Sequence, residues 1–152
     1  MLINLREMLQ IAEKKHSAIG SFNVYNVESL QAVMNASAKA SAPVIVSFGE
    51  SYDSHMPLEG MAELVKLYAA ASEVPIVLHL DHSKKMTTIL RALKAGFTSI
   101  MYDGSAFPLA ENIERSRRPC PECQPGGRTR LHEPGGRHPI QHGRSGKLYA
   151  GR

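Results

Sequence analysis

Apolar positions along the first 117 residues follow two alternating patterns, helical faces and short continuous runs. Leu5, Met8, Leu9 and Ala12 recur at helical spacing through about Lys15. Asn4 stands where it can cap that helix, and Glu7 three positions later completes a capping box. Ala18 to Val24 reads as a short strand. Asn26 then caps a helix over Val27 to Ala40, with Leu30, Val33, Met34 and Ser37 on one face. Pro43 to Phe48 is a β-branched strand with its proline at the start, where no ladder hydrogen bond is lost. A helix opens at Pro57 or Leu58 and runs through Leu64, Leu67 and Tyr68 to about Ser72. A strand over 75–80 follows, then a helix from about Lys85 to Ala95 stopped by Gly96 at its C′ position. Phe97 to Tyr102 is the fourth strand, and Pro108 starts a last helix, Leu109 to about Arg117.

Strands alternating with helices at a spacing of roughly 25–30 residues imply a parallel sheet with right-handed crossovers. The strands are apolar on both faces, as burial between two layers requires. Four such units are half of an eight-unit barrel, which runs to about 250 residues. The structural competitor is a compact flavodoxin-like sheet, but the chain has no glycine-rich loop opening a helix to support it.

Charge divides the chain unevenly. The formal net charge is +4, yet residues 1–115 hold 10 basic and 12 acidic side chains, whereas residues 116–152 hold 8 and 2. No run of roughly 18–20 apolar residues is present that would span a bilayer. The N-terminus lacks the basic and apolar regions of a signal peptide, and residues 1–115 contain no cysteine, so a cytoplasmic protein without a membrane partner is expected.

The chemistry concentrates in Val74-Pro-Ile-Val-Leu-His-Leu-Asp-His82, an apolar strand that ends in a carboxylate and an imidazole. Both groups avoid an apolar core, and strand C-termini are where α/β sheets collect ligands and catalytic groups. Asp81 and His82 read either as a proton-transfer group beside a metal ligand or as a pair capping the next helix. Asn23 and Asp103 also sit at strand ends, where a hydrogen-bonded turn is the lesser alternative role for each. His79 reads as a core histidine, and His16 and His55 as exposed.

Gly20-Ser-Phe-Asn-Val-Tyr-Asn-Val-Glu28, Ser41-Ala-Pro-Val-Ile-Val46, Val77-Leu-His-Leu-Asp-His82 and Phe97-Thr-Ser-Ile-Met-Tyr-Asp-Gly-Ser105 lie in order at consistent spacing. With Pro108 and Glu111-Asn-Ile-Glu114, they resemble the class II, metal-dependent ketose-bisphosphate aldolases. The resemblance implies a TIM (β/α)8 barrel of which residues 1–117 are the N-terminal half. It implies reversible aldol cleavage of fructose or tagatose 1,6-bisphosphate to dihydroxyacetone phosphate and glyceraldehyde 3-phosphate, in a homo-oligomer. A divalent cation, usually zinc, would polarise the ketose carbonyl and stabilise the enediolate. His82 would be a metal ligand and Asp81 the acid/base that moves the C4 hydroxyl proton. Asp103 would lie near the metal and hold a second cation, and Asn23 would line the substrate pocket. Gly49 departs from the family, which often carries a hydroxyl residue there near the substrate phosphate.

The resemblance stops near Arg117. Residues 118–152 are rich in Arg, Pro and Gly, with too little apolar surface to offset chain entropy, so a disordered tail is expected. The abrupt switch inside a helix has the composition of a reading-frame shift through GC-rich codons. Taken alone, the chain reads as a truncated, inactive half-barrel with two open sheet edges, since one histidine cannot complete a catalytic zinc site. A competing reading makes it a small zinc- or nucleic-acid-binding protein through Cys120, Cys123, His132, His138 and the tail arginines. With Tyr149 the tail's one aromatic residue, no stacking platform supports nucleic-acid binding.

Overall fold

The computed structural model of this chain describes residues 1–117 and 148–151. Helix α1 (Leu5–Lys14) begins with the expected capping box: Asn4 Oδ1 accepts from the Glu7 N–H at 2.9 Å, and Glu7 Oε2 accepts from the Asn4 N–H at 3.4 Å. Strand β1 (Gly20–Asn23) leads into α2 (Val27–Ala40), where Asn26 and Ser29 make a second reciprocal cap. Then come β2 (Val44–Gly49), a single 3₁₀ turn over Glu50–Tyr52, and α3 (Leu58–Ala70). Strand β3 (Ile76–Ser83), α4 (Met86–Ala95), β4 (Ser99–Tyr102) and α5 (Leu109–Arg117) complete the alternation.

Strands β1 to β4 lie in sequential order, all parallel. Sequential order means that every crossover steps the same way, as in a barrel wall, whereas a doubly wound sheet reverses direction. The layers agree. Val44, Val46, Phe48, Ile76, Leu78, Leu80 and Ile100 face one side and pack against α2, α3 and α4 in one core. Residues of the opposite parity face the other side. There Ile45 and Val77 meet Met8 of α1, which covers the N-terminal end of that face. Above them Ser47, His79 and Ser99 are buried polar residues in one row, with His79 pairing Ser47 on one flank and Ser99 on the other. A sheet with helices along one face and a polar row on the other is the wall of a barrel seen from inside and out.

Several expectations change. The sequence ends the third strand at Leu80, but the backbone continues to Ser83, because ladder hydrogen bonds do not depend on side-chain polarity. Residues Leu148–Gly151, within the segment expected to lack structure, form β5, which pairs antiparallel to β4. The outer edge of β4, expected to be open, is therefore covered, and the sheet ends at β1 on one side and at β5 on the other. The row of N–H and C=O groups on a sheet edge provides the pairing surface. The buried face of α3 also differs from the sequence markers: Leu58, Met61, Ala62, Val65 and Ala69 are buried, whereas Leu67 is exposed.

Outside the sheet, Arg91 of α4 clamps the 3₁₀ turn region and α3. Its guanidinium donates to Asp53 Oδ2 at 2.6 Å and Oδ1 at 3.1 Å, and to Glu59 at 2.7 and 2.8 Å. These hydrogen bonds hold both carboxyls below their ordinary values of 3.8 and 4.5. Depressed carboxyls stabilise the fold above their unfolded values and lose that effect as pH falls through the folded ones. Arg91→Met, which keeps the stem packing, should therefore cost about 1 kcal/mol at pH 7. The difference from wild type should stay level down to about pH 4.5 and shrink below it in urea titrations. A difference unchanged at pH 2 would assign the effect to packing.

Candidate active site

The C-terminal ends of β2, β3 and β4 bring the chemical groups together. Between Leu80, which pairs Ile100, and Ser83, which pairs Tyr102, Asp81 and His82 stand opposite the single residue Met101. This is a β-bulge, a device that re-aims side chains at sheet ends and beside active sites. His82 adopts φ +51°, a left-handed conformation that costs a non-glycine residue on the order of 1 kcal/mol. The bulge sends His82 toward β4: its Nδ1 lies 3.1 Å from Asp103 Oδ2. Asp103 is buried, and its other oxygen, Oδ1, accepts from the Ser105 N–H at 3.1 Å. One carboxylate thus closes the Asp103-Gly-Ser turn and orients the imidazole.

Asp81 stays on the inner face. His79 Nε2 lies 3.8 Å from Asp81 Oδ1, and His79 Nδ1 is 2.8 Å from Ser99 Oγ. His79 is a core histidine as expected, and it also stands directly beneath the carboxylate. Asn23 ends β1 in register with Ser47, in the same row as His79 but two strands away, roughly 10 Å at about 4.8 Å per strand. The structure therefore joins His82 to Asp103 directly, sets Asp81 beside His79 on the inner face, and leaves Asn23 two strands away. His16 and His55 are exposed.

The alternative that Asp81 and His82 cap the next helix meets a different finding. Glu50, from the turn after β2, supplies that cap: its carboxylate accepts from the Ser83 hydroxyl at 3.0 Å, the Lys84 and Lys85 N–H groups, and the Thr88 hydroxyl at 3.1 Å. Burial pushes the Glu50 carboxyl up, and these four hydrogen bonds more than reverse it, leaving the group below its ordinary value. Sequence reasoning passed over Glu50. The available signal was an acidic residue directly after a fully buried strand. Gly49 pairs with Asp81, and a Cβ there would lie 3.5 Å from Ser51 Oγ, so a hydroxyl still approaches this position from a neighbouring residue.

The donor chemistry fits one corner of a divalent-metal site. A carboxylate beside one ring nitrogen of a histidine fixes the ring's orientation and directs the other nitrogen outward, the arrangement found behind most metal-bound histidines. Among the described residues no group of three His, Cys, Asp or Glu side chains could hold an ion. The set Cys120, Cys123, His132 and His138 lies outside the described residues. No helix among the described residues is long and apolar enough to cross a membrane.

A four-stranded parallel wall with Asp81, His82 and Asp103 at its strand C-termini defines the class: a barrel-type α/β fold with polar groups gathered at the strand ends. Comparison with known proteins gives the family. The sequence model of class II fructose-bisphosphate aldolases matches residues 3–130, beyond the Arg117 at which the motifs end, and the chain belongs to that family. It is 31% identical over 115 residues to a sulfofructosephosphate aldolase of Alkalicoccus urumqiensis, covering 76% of this chain and 40% of that protein. It is 37% identical over 117 residues to YdjI of Escherichia coli K12, covering 77% of this chain and 42% of that protein. The crystal structure of the YdjI aldolase superposes with a TM-score of 0.72 over 76% of this chain and 45% of that one, at 37% identity. Campylobacter jejuni fructose-bisphosphate aldolase gives a TM-score of 0.62 at 26% identity, over 73% of this chain and 40% of that one. The chain thus spans 40% and 42% of the length of the two sequence relatives, and its parallel strands and helices correspond to part of the aldolase fold.

Proposed function

We propose that this chain carries the Asp81–His82 side of a metal-dependent aldolase site that cleaves a phosphorylated ketose to dihydroxyacetone phosphate and an aldehyde. The observation that carries the reading is His82 held by buried Asp103 at the end of a bulged strand, an imidazole fixed for a ligand at a cost in backbone strain. A divalent cation, zinc in the family's usual chemistry, would polarise the ketose carbonyl when bound. Asp81, on the inner face and partly exposed, takes the proton of the C4 hydroxyl as the carbon–carbon bond breaks. Asp103 fits the role of orienting His82 better than that of holding a second cation, since its two oxygens already serve His82 and Ser105. Asn23 lines the far wall of the substrate pocket. The family description supports a ketose 1,6-bisphosphate; a relative named for sulfofructosephosphate supports the broader class of phosphorylated ketoses.

Zinc titration of the full chain by calorimetry tests this. Because only part of a ligand set stands among the described residues, binding should be weak, and equal in wild type and in a chain with Cys120 and Cys123 both changed to serine. Asp103→Asn, isosteric but unable to accept at both oxygens, should bind about 10–100-fold more weakly. Uptake lost with the cysteines would favour the tail as the zinc site, and no uptake at all would end the metal reading. With one imidazole ligand among the described residues, the isolated chain should show no cleavage of fructose 1,6-bisphosphate above background in a coupled assay. Turnover would mean that the remaining ligands come from residues 118–147 or from a second copy.

A further inference from the structure

Glu50 belongs to none of the family segments described above, yet its carboxylate is the most heavily bonded group near the strand ends. Every partner it has lies in the six residues after His82: Ser83 Oγ, the N–H groups of Lys84 and Lys85, and Thr88 Oγ1. Ser83, fully buried, is the pivot. Its hydroxyl donates to Glu50, and its carbonyl accepts from the Asp103 N–H at 2.7 Å. The same Asp103 receives His82 through its side chain. From the end of β2, Glu50 therefore fixes the residue that follows the bulge, and through it both partners of the His82–Asp103 pair. Something has to hold this geometry, because His82 at φ +51° would relax toward an ordinary strand conformation if the next residue were released. Helix α4 has no side-chain cap of its own at Lys85, so the anchor comes from outside the segment.

We propose that Glu50 is the positioning residue of the site: it holds the β3–α4 junction so that His82 stays in its left-handed conformation and bonded to Asp103. The functional consequence rests on the reading of His82 as a metal ligand, but the positioning itself does not. Groups that orient a metal ligand from behind typically contribute about 10–100-fold to metal affinity, and Glu50, half-buried, acts through Ser83 on both members of the His82–Asp103 pair.

The test uses the full chain in five forms: wild type, Glu50→Ala, Glu50→Gln, Arg91→Met and, for assignment, His82→Asn. Arg91→Met serves as a control because it cuts a comparable tie to α4 away from the site. The first readout is the ¹⁵N signature of the His82 ring without metal, assigned by its absence in His82→Asn. Wild type, Glu50→Gln and Arg91→Met should show one fixed tautomer, with the proton on Nδ1. Glu50→Ala should show averaging between tautomers. A wild-type signature in Glu50→Ala overturns the proposal, as does equal averaging in Arg91→Met, which would reduce the effect to general loosening of α4. The second readout is zinc affinity, expected to fall about 10–100-fold in Glu50→Ala and to hold in Arg91→Met. If wild type takes up no zinc, the metal reading fails while the ring signature still decides the role of Glu50.

Discussion

Phe48→Ala is expected to lower the stability of this chain by about 3–5 kcal/mol, close to the whole margin of a small domain. Phe48 is fully buried in the helix-facing core. Its ring meets Tyr52 edge-on at 5.9 Å between centroids and Phe97 at 6.5 Å, and Tyr52 in turn meets Tyr25 at 5.7 Å. Removing it loses the transfer energy of the ring and leaves a cavity whose walls, two strands and a 3₁₀ turn, cannot collapse inward. It also removes the support under Gly49 and Glu50, so the variant should loosen the β3–α4 junction before the sheet itself. Urea titration gives the magnitude, and hydrogen exchange at Lys84 and Lys85 reports the local effect. A loss below 1 kcal/mol would mean that the aromatic cluster is not the anchor of this end of the sheet. Phe48→Leu, which refills most of the volume, should recover more than half of the loss.

Gly104→Ala is expected to cost about 1–3 kcal/mol, an overpacking penalty with a specific address. An added Cβ would stand 2.1 Å from Asn112 Oδ1 and 2.6 Å from its Cγ. Asn112 is buried on α5, and its Oδ1 also accepts from Ser116 at 3.2 Å, so the amide cannot move without breaking a buried hydrogen bond. The alternative is for the turn to move, and Asp103 is the residue before it. Thermal melts should show a fall of about 2–4 °C per kcal/mol for a chain of this size. Shortening the opposing side chain, in Gly104→Ala with Asn112→Ala, should return part of the loss. If the double variant is less stable than the sum of the singles, the clash is not the cause.

The elements read well from sequence because local signals were strong. Asn4 and Asn26 precede helical periodicity and form reciprocal caps in the structure. Gly96 ends α4 at φ +92°, where any side chain would be strained and a Cβ would press on Lys66 at 2.9 Å. The apolar runs 44–48 and 76–80 are fully buried because a parallel wall covers both faces. The ends of the third and fourth strands also marked Asp81, His82 and Asp103 as candidate positions, and the structure joins His82 to Asp103. The motifs of residues 20–114 pointed to the aldolase family, which the comparisons then established.

The sequence alone determined the order of strands and helices, the faces that pack, and the residue types that stand where strands leave the core. These follow from periodicity and capping, which act over a few residues. Only the tertiary structure decided how those residues meet. The bulge between Leu80 and Ser83 arises from the register of β3 against β4, and register is a property of two strands. The bond from His82 to Asp103 spans 21 positions, and those from Glu50 to the start of α4 span 33 to 38. The strand at 148–151 had too little apolar content to predict; the free edge of β4 gave its backbone a partner. Contacts of this length carry no local signature, because what selects them is the closing of the sheet, and the orientation of a catalytic side chain is set by the neighbour that the fold delivers to it.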